Sequence, residues 1–263
     1  MTEQGIIPKY LADVETPMCS ACLYAKATRK KWRQKKRKKW KANKPRQKAG
    51  ELVSVNQLVS PTPGLVAQIT GILTTKRYKY ATVYVDHFSG LSYVYLQKTA
   101  SAKETIESKK AFEAYCNQLG VTVKAYHADN GIFRANNWVA ECRANRQTLM
   151  FAGVNAHHTN GIAERKIRSL QELAQAMMIH ANKQWPTAVT ANLWPYALRM
   201  ANDIINEAPK LARLTKPNTV ATLRRYDNKH ECQTLAYFWL SRIHSQQGIA
   251  KWKGNLPQME ATI

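Results

Sequence analysis

Fourteen of the residues between 26 and 48 are Lys or Arg, and none is acidic. No fold buries such a block. Its charges repel one another, and its apolar surface is too small to offset the entropy of ordering it. The compact part of the chain must be built from other segments. Over the whole chain 40 basic residues face 17 acidic ones, a formal net charge of +23. A protein this basic calls for a polyanion, and nucleic acid is the first candidate partner. An anionic membrane surface is the second, but no uninterrupted apolar stretch approaches the roughly 20 residues that span a bilayer. The first twenty residues carry Glu3, Asp13 and Glu15 and no apolar run, so the chain is read as intracellular and not secreted. Five irregularly spaced cysteines make no disulfide framework and fit a reducing compartment.

Three zones are expected. Residues 1–50 contain Cys19-Ser20-Ala21-Cys22 and then the basic run, read as a disordered or marginally helical arm. Residues from about 51 to 182 read as α/β, a third zone covers about 187–225, and the chain's apolar content of 44% allows a sizeable core. Leu52 to Leu58 is short and β-prone. Tyr78 to Val85 and Leu91 to Leu96 are rich in Val, Tyr and Thr and flank Asp86-His87-Phe88-Ser89-Gly90, which predicts a hairpin. A helix is expected over 102–119, with Ile106, Phe112, Ala114, Tyr115 and Leu119 as its apolar stripe and Gly120 as its stop. Val121 to Tyr126 reads as a strand running into Asp129, followed by a helix near 136–147. Residues 161–183 give the clearest helix, with Ile167, Leu170, Ala174, Met177 and Met178 on one side. Trp194, Leu198, Ala201 and Ile205 mark another that ends before Pro209. Beyond Tyr226 the pattern weakens.

The chain has only five aspartates: Asp13, Asp86, Asp129, Asp203 and Asp227. Asp129 closes a strand, and Asn130-Gly131 turns the chain away, which is where α/β folds open their clefts. Glu164 lies in the first turn of the strongest helix, off its apolar stripe. A strand-end acid and a helix-start acid can meet and hold Mg²⁺, which takes carboxylate oxygens and keeps open water positions. Two such ions about 3.5–4 Å apart can serve phosphodiester chemistry. Taken singly, each acid has a plainer explanation: a turn residue, or a Glu placed for the helix dipole.

Their flanks make the pair specific. His127-Ala128-Asp129-Asn130-Gly131, followed by His157-His158-Thr159-Asn160-Gly161-Ile162-Ala163-Glu164-Arg165, resembles the second and third acidic motifs of copia-type retrotransposon integrases. Ile7-Pro8 leading to Cys19 and Cys22 is similar to the end of that family's zinc-binding region. Val85 to Gly90 resembles its core hairpin, and Lys251-Trp252-Lys253-Gly254 is similar to the segment leading into its C-terminal region. The resemblance implies an RNase H-like core, a mixed sheet of about five strands flanked by helices. It divides the chain into a truncated zinc-binding remnant with a basic arm (1–50), a catalytic core with its following helix (51–210) and a partial, helical C-terminal extension (211–263). It also implies a three-acid site for two Mg²⁺ or Mn²⁺ ions, 3′-end processing and strand transfer of element DNA into a target, action as a homo-oligomer, and a nuclear destination after cytoplasmic assembly.

The sequence departs from that pattern at one position. The family's first Asp belongs in the opening strand, and the matching residue here is Asn56. An amide offers one neutral carbonyl oxygen in place of a carboxylate. The expected result is weak or single-metal binding at Asp129 and Glu164 and a loss of several orders of magnitude in rate. Asp86 is the alternative first acid, although a hairpin turn should point it elsewhere. Two functions therefore stay open: a DNA integrase core by descent, impaired in this copy, and a catalytically silent nucleic-acid-binding remnant. A ribosomal or chaperone-like protein would explain the charge but not the paired acid motifs.

The remaining candidates are supporting ones. Cys19 and Cys22 have zinc-knuckle spacing, but all seven histidines lie at position 87 or later. That leaves half a site; the alternative is two exposed thiols. Cys116, Cys142 and Cys232 read as buried apolar residues. His157 and His158 read either as loop residues near DNA or as plain surface positions, and His127 as packed beside the acid site. For DNA, and possible RNA contact, the arm supplies Lys30, Lys31, Arg33, Lys36, Arg37 and Lys38 with Trp32 and Trp40 interleaved, suited to phosphate neutralisation and base stacking. Arg165, Lys166 and Arg168 on the Glu164 helix are either phosphate contacts or a solvated face.

Overall fold

The computed structural model describes residues 18–27, 48–66, 75–152 and 160–208. Its centre is a five-stranded sheet in the order β3-β2-β1-β4-β5. The strands are β1 (Val53–Gly64), β2 (Tyr78–Asp86), β3 (Ser92–Gln97), β4 (Ala125–Ala128) and β5 (Thr148–Phe151). β1, β2 and β3 form an antiparallel meander, while β4 and β5 add in parallel on the other side of β1. The parallel additions need crossovers. These are supplied by helix α2 (Ala102–Gln118) before β4 and α3 (Asn136–Ala144) before β5. The mixed, helix-flanked sheet is the one expected.

Alternation along β1 assigns the two faces. Val53 and Val55 join Tyr84, Phe112, Tyr126, Phe133 and Trp138 in a core under α2 and α3. Leu58 joins Val83, Val85, Leu96, Ile167, Leu170 and Leu198 in a second core. The latter lies under α4 (Gly161–Gln184) and α5 (Trp194–Glu207). Leu170 is fully buried. Truncating a side chain in such a position to Ala costs about 2–5 kcal/mol. Of the expected α4 stripe Ile167, Leu170 and Ala174 are buried, Met177 and Met178 only partly so, and Ala163 and Ala176 join it.

The α2 stripe differs. Its buried residues are Thr105, Ser108, Lys109, Phe112 and Cys116, while Ala114 is exposed. Under the N-terminal half of α2 the sheet presents Gln57, Thr82 and Gln97, so polar side chains are drawn inward there. Gln97 accepts from Thr82 Oγ1 (2.6 Å) and Gln57 Nε2 (2.8 Å) and donates to Thr105 (3.3 Å). Tyr84 hydroxyl meets Ser108 at 2.7 Å. The Lys109 ammonium is fully buried 3.0 Å from Glu113, which also accepts from Tyr126 hydroxyl and Gln147. Pairing these groups with one another avoids the cost of burying them unsatisfied.

Two clasps fix the second layer. At the sheet edge Asn206 of α5 accepts from Ser92 N–H (3.0 Å) and donates to Ser92 C=O (2.7 Å), standing in for a neighbouring strand. Trp194 donates to the Thr62 carbonyl at 2.9 Å, and a Cβ on Gly64 would stand 2.3 Å from Pro195. A short helix, α1 (Ser20–Lys26), packs against α4 and buries Ala21 and Ala25. No helix among the described residues is long and apolar enough to cross a membrane. Residues 28–47, which hold most of the basic arm, residues 153–159 and residues 209–263 lie outside the described part. So do Lys30, Lys31, Arg33, Lys36, Arg37, Lys38, His157, His158, Cys232 and the 211–263 extension.

Candidate functional site

The register of the central parallel pair builds the site. Val53 lies opposite Tyr126, Ser54 opposite His127 and Val55 opposite Ala128. One residue further along both strands stand Asn56 and Asp129. Neighbouring strands lie about 4.8 Å apart, so the two positions are neighbours where the β1–β4 ladder ends, Asn56 inside β1 and Asp129 just past β4. Both alternate away from the α2 core, on the face that α4 covers.

The turn after β4 holds Asp129 in place. Its Oδ1 accepts from Gly131 N–H at 3.1 Å, and Asn130 donates to the Ala152 carbonyl at 2.7 Å. A Cβ on residue 131 would stand 3.3 Å from the same Oδ1, so glycine keeps the carboxylate unobstructed. Asn56 is differently engaged. Its Oδ1, the one oxygen it offers a cation, accepts from Gln57 N–H at 2.8 Å.

Glu164 arrives from α4 and is exposed. Asn160, immediately before the helix, donates from Nδ2 to the Val55 carbonyl at 2.9 Å. That carbonyl belongs to the peptide joining Val55 to Asn56, so the helix start is tied to the strand end. Lys166 reaches the other way, to the Gly90 carbonyl in the β2–β3 turn at 3.0 Å. Two residues correspond to about 200° around a helix. Glu164 therefore lies on the flank of α4 away from Lys166 and is exposed there.

Asp86 takes no part in this cluster. It is buried, with Oδ1 accepting from Gly50 N–H and Oδ2 from both N–H and hydroxyl of Ser89. It pairs with Val53, three residues and about 10 Å from Asn56 along β1. It is a turn lock, and the alternative that made it the first acid is set aside.

His127 is half-buried beside Asn160. Burial pulls its pKa below the usual 6.5, and the Asn160 amide partly opposes that. Arg165 and Arg168 are exposed, but Arg165 bonds the Gly161 carbonyl and Arg168 pairs with Glu172 at 2.9 Å. Lys166 is tied to the hairpin turn and is not a free cation on a solvated face. Cys19 caps α1, where a backbone bond from Cys22 lowers its pKa; burial raises that of Cys22. Burial pushes the Cys116 and Cys142 thiols up to about 12, as befits core residues.

Among the described residues no group of three or more His, Cys, Asp or Glu could hold a metal. Asn56 and Asp129 offer one amide oxygen, already bonded to Gln57 N–H, and one carboxylate, and Glu164 adds a second carboxylate on α4. That set suits one hard divalent ion, and a second would lack compensating charge. Asn160 is the residue that sequence reasoning passes over. An Asn before an amphipathic helix reads as an N-cap, a signal that predicts a different bond from the one it makes.

No protein-family model matches the chain. It is 28% identical over 174 residues to the retrovirus-related Pol polyprotein from transposon RE1 of Arabidopsis thaliana, covering 64% of this chain and 11% of that one. The chain thus spans about a tenth of the length of that curated relative. In structure it is similar to a chain of the simian T-cell lymphotropic virus intasome in complex with PP2A regulatory subunit B56 gamma. The TM-score is 0.50 at 17% identity, over 68% of this chain and 55% of that one. The HTLV-2 integrase catalytic core domain in complex with magnesium aligns with a TM-score of 0.45 at 16% identity, over 66% and 96%. Its relatives are retrotransposon Pol polyproteins and its neighbours in fold are retroviral integrase cores.

Proposed function

We propose that this chain, an integrase-like core of the retrotransposon and retroviral Pol kind, is a DNA integrase by descent whose chemistry is impaired by Asn56. The observation that carries the reading is the register. It sets Asn56 beside Asp129, with Glu164 on a helix tethered one peptide away. In this reading Asp129 and Glu164 hold a single Mg²⁺ or Mn²⁺. When bound, such an ion would supply Lewis-acid stabilisation of a phosphodiester oxygen, and without a second ion only one of the attacking and leaving oxygens would be served. Asp129 is oriented by its bond from Gly131, and Glu164 would reach the ion from the first turn of α4. The amide at position 56 leaves a second ion without the charge it needs. Arg165 and Arg168 remain exposed on the same helix for backbone phosphates. The arm of residues 26–48 supplies the main electrostatic affinity for element and target DNA, and a nuclear destination follows from such work.

The test is strand transfer with a labelled element end in Mg²⁺ and in Mn²⁺, comparing the natural chain with Asn56→Asp. The variant should gain at least two orders of magnitude. Equal activity in both refutes the impairment. DNA binding without strand transfer in either chain favours the second reading, a silent nucleic-acid-binding remnant, to which Asn56 also points.

A further inference from the structure

Asn160 behaves unlike an ordinary residue at its position. Asn is among the preferred N-caps because its side-chain oxygen can accept a free N–H of the first helical turn, an interaction typically worth ~1 kcal/mol. Asn160 precedes α4 yet makes no such bond. Its side chain turns inward instead and is 1% exposed. Nδ2 donates to the Val55 carbonyl at 2.9 Å, 105 residues away in sequence. Oδ1 is buried and makes no well-formed hydrogen bond among the described residues, although the His127 ring lies beside the amide. The residue thus forgoes a local cap and leaves its oxygen poorly satisfied, both unfavourable. What it gains is one long-range bond between the start of α4 and the peptide before Asn56.

Glu164 follows one helical turn later. A helix is stiff over one turn, so the height and rotation at residue 160 set where residue 164 begins. The apolar stripe of Ala163, Ile167 and Leu170 holds α4 on the sheet but allows sliding of its end, because hydrophobic contact is non-directional. The hydrogen bond supplies the missing direction.

We propose that the Asn160 side-chain amide, through its bond to the Val55 carbonyl, is the positioning residue that sets Glu164 toward the end of the β1–β4 ladder, where Asn56 and Asp129 stand. This rests on the acid-site reading above. Asn160 itself touches neither ion nor DNA in this role. Its effect passes through Glu164.

The test is a cycle of Mn²⁺ binding, followed by electron paramagnetic resonance on the full chain carrying Asn56→Asp so that affinity is measurable. In that background Asn160→Ala should weaken Mn²⁺ binding by about tenfold, within the range for coupled neighbours. With Glu164→Gln also present, Asn160→Ala should cause no further loss. A purely structural role would reduce binding equally with and without the glutamate, and that result overturns the proposal. So does an Asn160→Ala chain that binds Mn²⁺ undiminished. If Asn160→Ala does not fold, the same cycle is run with Asn160→Gln, which keeps the amide and displaces it by one methylene. If Glu164→Gln alone leaves Mn²⁺ affinity unchanged, the acid-site reading itself fails and the positioning role falls with it.

Discussion

Replacing Asn56 by Asp has two consequences that the register fixes in sign. First, the metal-free protein is strained. A carboxylate at position 56 stands about 5 Å from that of Asp129, where like charges repel by roughly 3 kcal/mol at an effective dielectric of 20. Both positions are partly solvated, which brings this to about 1–2 kcal/mol. The metal-free Tm should therefore fall by roughly 2–8 °C at low salt, and less at high salt. Second, a divalent ion now meets three carboxylates. Its attraction to the added charge at about 4 Å is nominally 8 kcal/mol, and solvent and desolvation remove more than half of it. With the repulsion relieved on binding, about 3–4 kcal/mol remains, or some 10² to 10³ in affinity. Calorimetric titration with Mn²⁺ and thermal melts with and without the ion measure both. If the metal-free Tm and the Mn²⁺ affinity both stay where they were, residues 56 and 129 are not neighbours. If the Tm falls with no gain in affinity, they are neighbours but do not form a cation seat.

Other substitutions follow from single hydrogen bonds and charges. Asp86→Ala strips partners from the buried N–H groups of Gly50 and Ser89, and should cost about 3 kcal/mol. In the Asn56→Asp background it should leave Mn²⁺ affinity unchanged; a vanished Mn²⁺ signal in a folded protein would return Asp86 to the site. Asn206→Ala leaves Ser92 N–H and C=O without their clasp. The expected loss is about 2–4 kcal/mol by urea denaturation, and a neutral result would show that water replaces the amide. Burial holds the His127 pKa below its usual 6.5. The unfolded chain therefore binds a proton below that pH that the folded chain refuses, and stability falls as pH drops through 6.5. Comparing unfolding free energies at pH 7.5 and 5.5, His127→Gln should lose less than the natural chain; an equal loss refutes the assignment. Deleting residues 26–48 removes fourteen cations. The slope of log affinity for duplex DNA against log salt should flatten by about 0.9 for each phosphate the arm no longer neutralises, and an unchanged slope excludes the arm from binding.

What can be read from the residues follows the range of the forces involved. The hairpin of β2 and β3 is legible because β-branched and aromatic runs flank a turn sequence in one short stretch. The α4 stripe is legible because its apolar period is local. β5 carries no such signal. Thr148-Leu149-Met150-Phe151 has no alternation of its own, and it becomes a strand because the parallel edge of β4 is there to pair with. β4 is shorter at its start than expected. Val121 N–H is bonded to the Cys116 carbonyl and Lys124 N–H to that of Gly50, so pairing begins only where the Lys124 carbonyl accepts from Thr148 N–H. The inward turn of Lys109 on α2 depends on Glu113 and on Tyr126 of β4.

The candidate site divides in the same way. Asp129 and Glu164 stand out in sequence because each sits within a local motif. Their relation to Asn56 is a property of the register between β1 and β4, set by side chains on both faces of the sheet and recorded in no single segment. Asn160 is the sharpest case. Its local preference argues for a cap on its own helix, and the tertiary bond to Val55 overrides it. Where a residue abandons its local optimum for one distant partner, the geometry at that partner is what the fold retains. That bond lies one peptide from Asn56, the position where the resemblance implies a carboxylate. Under the proposed function that bond would also aim a carboxylate at position 56, which is why placing one there is the perturbation with the most to reveal.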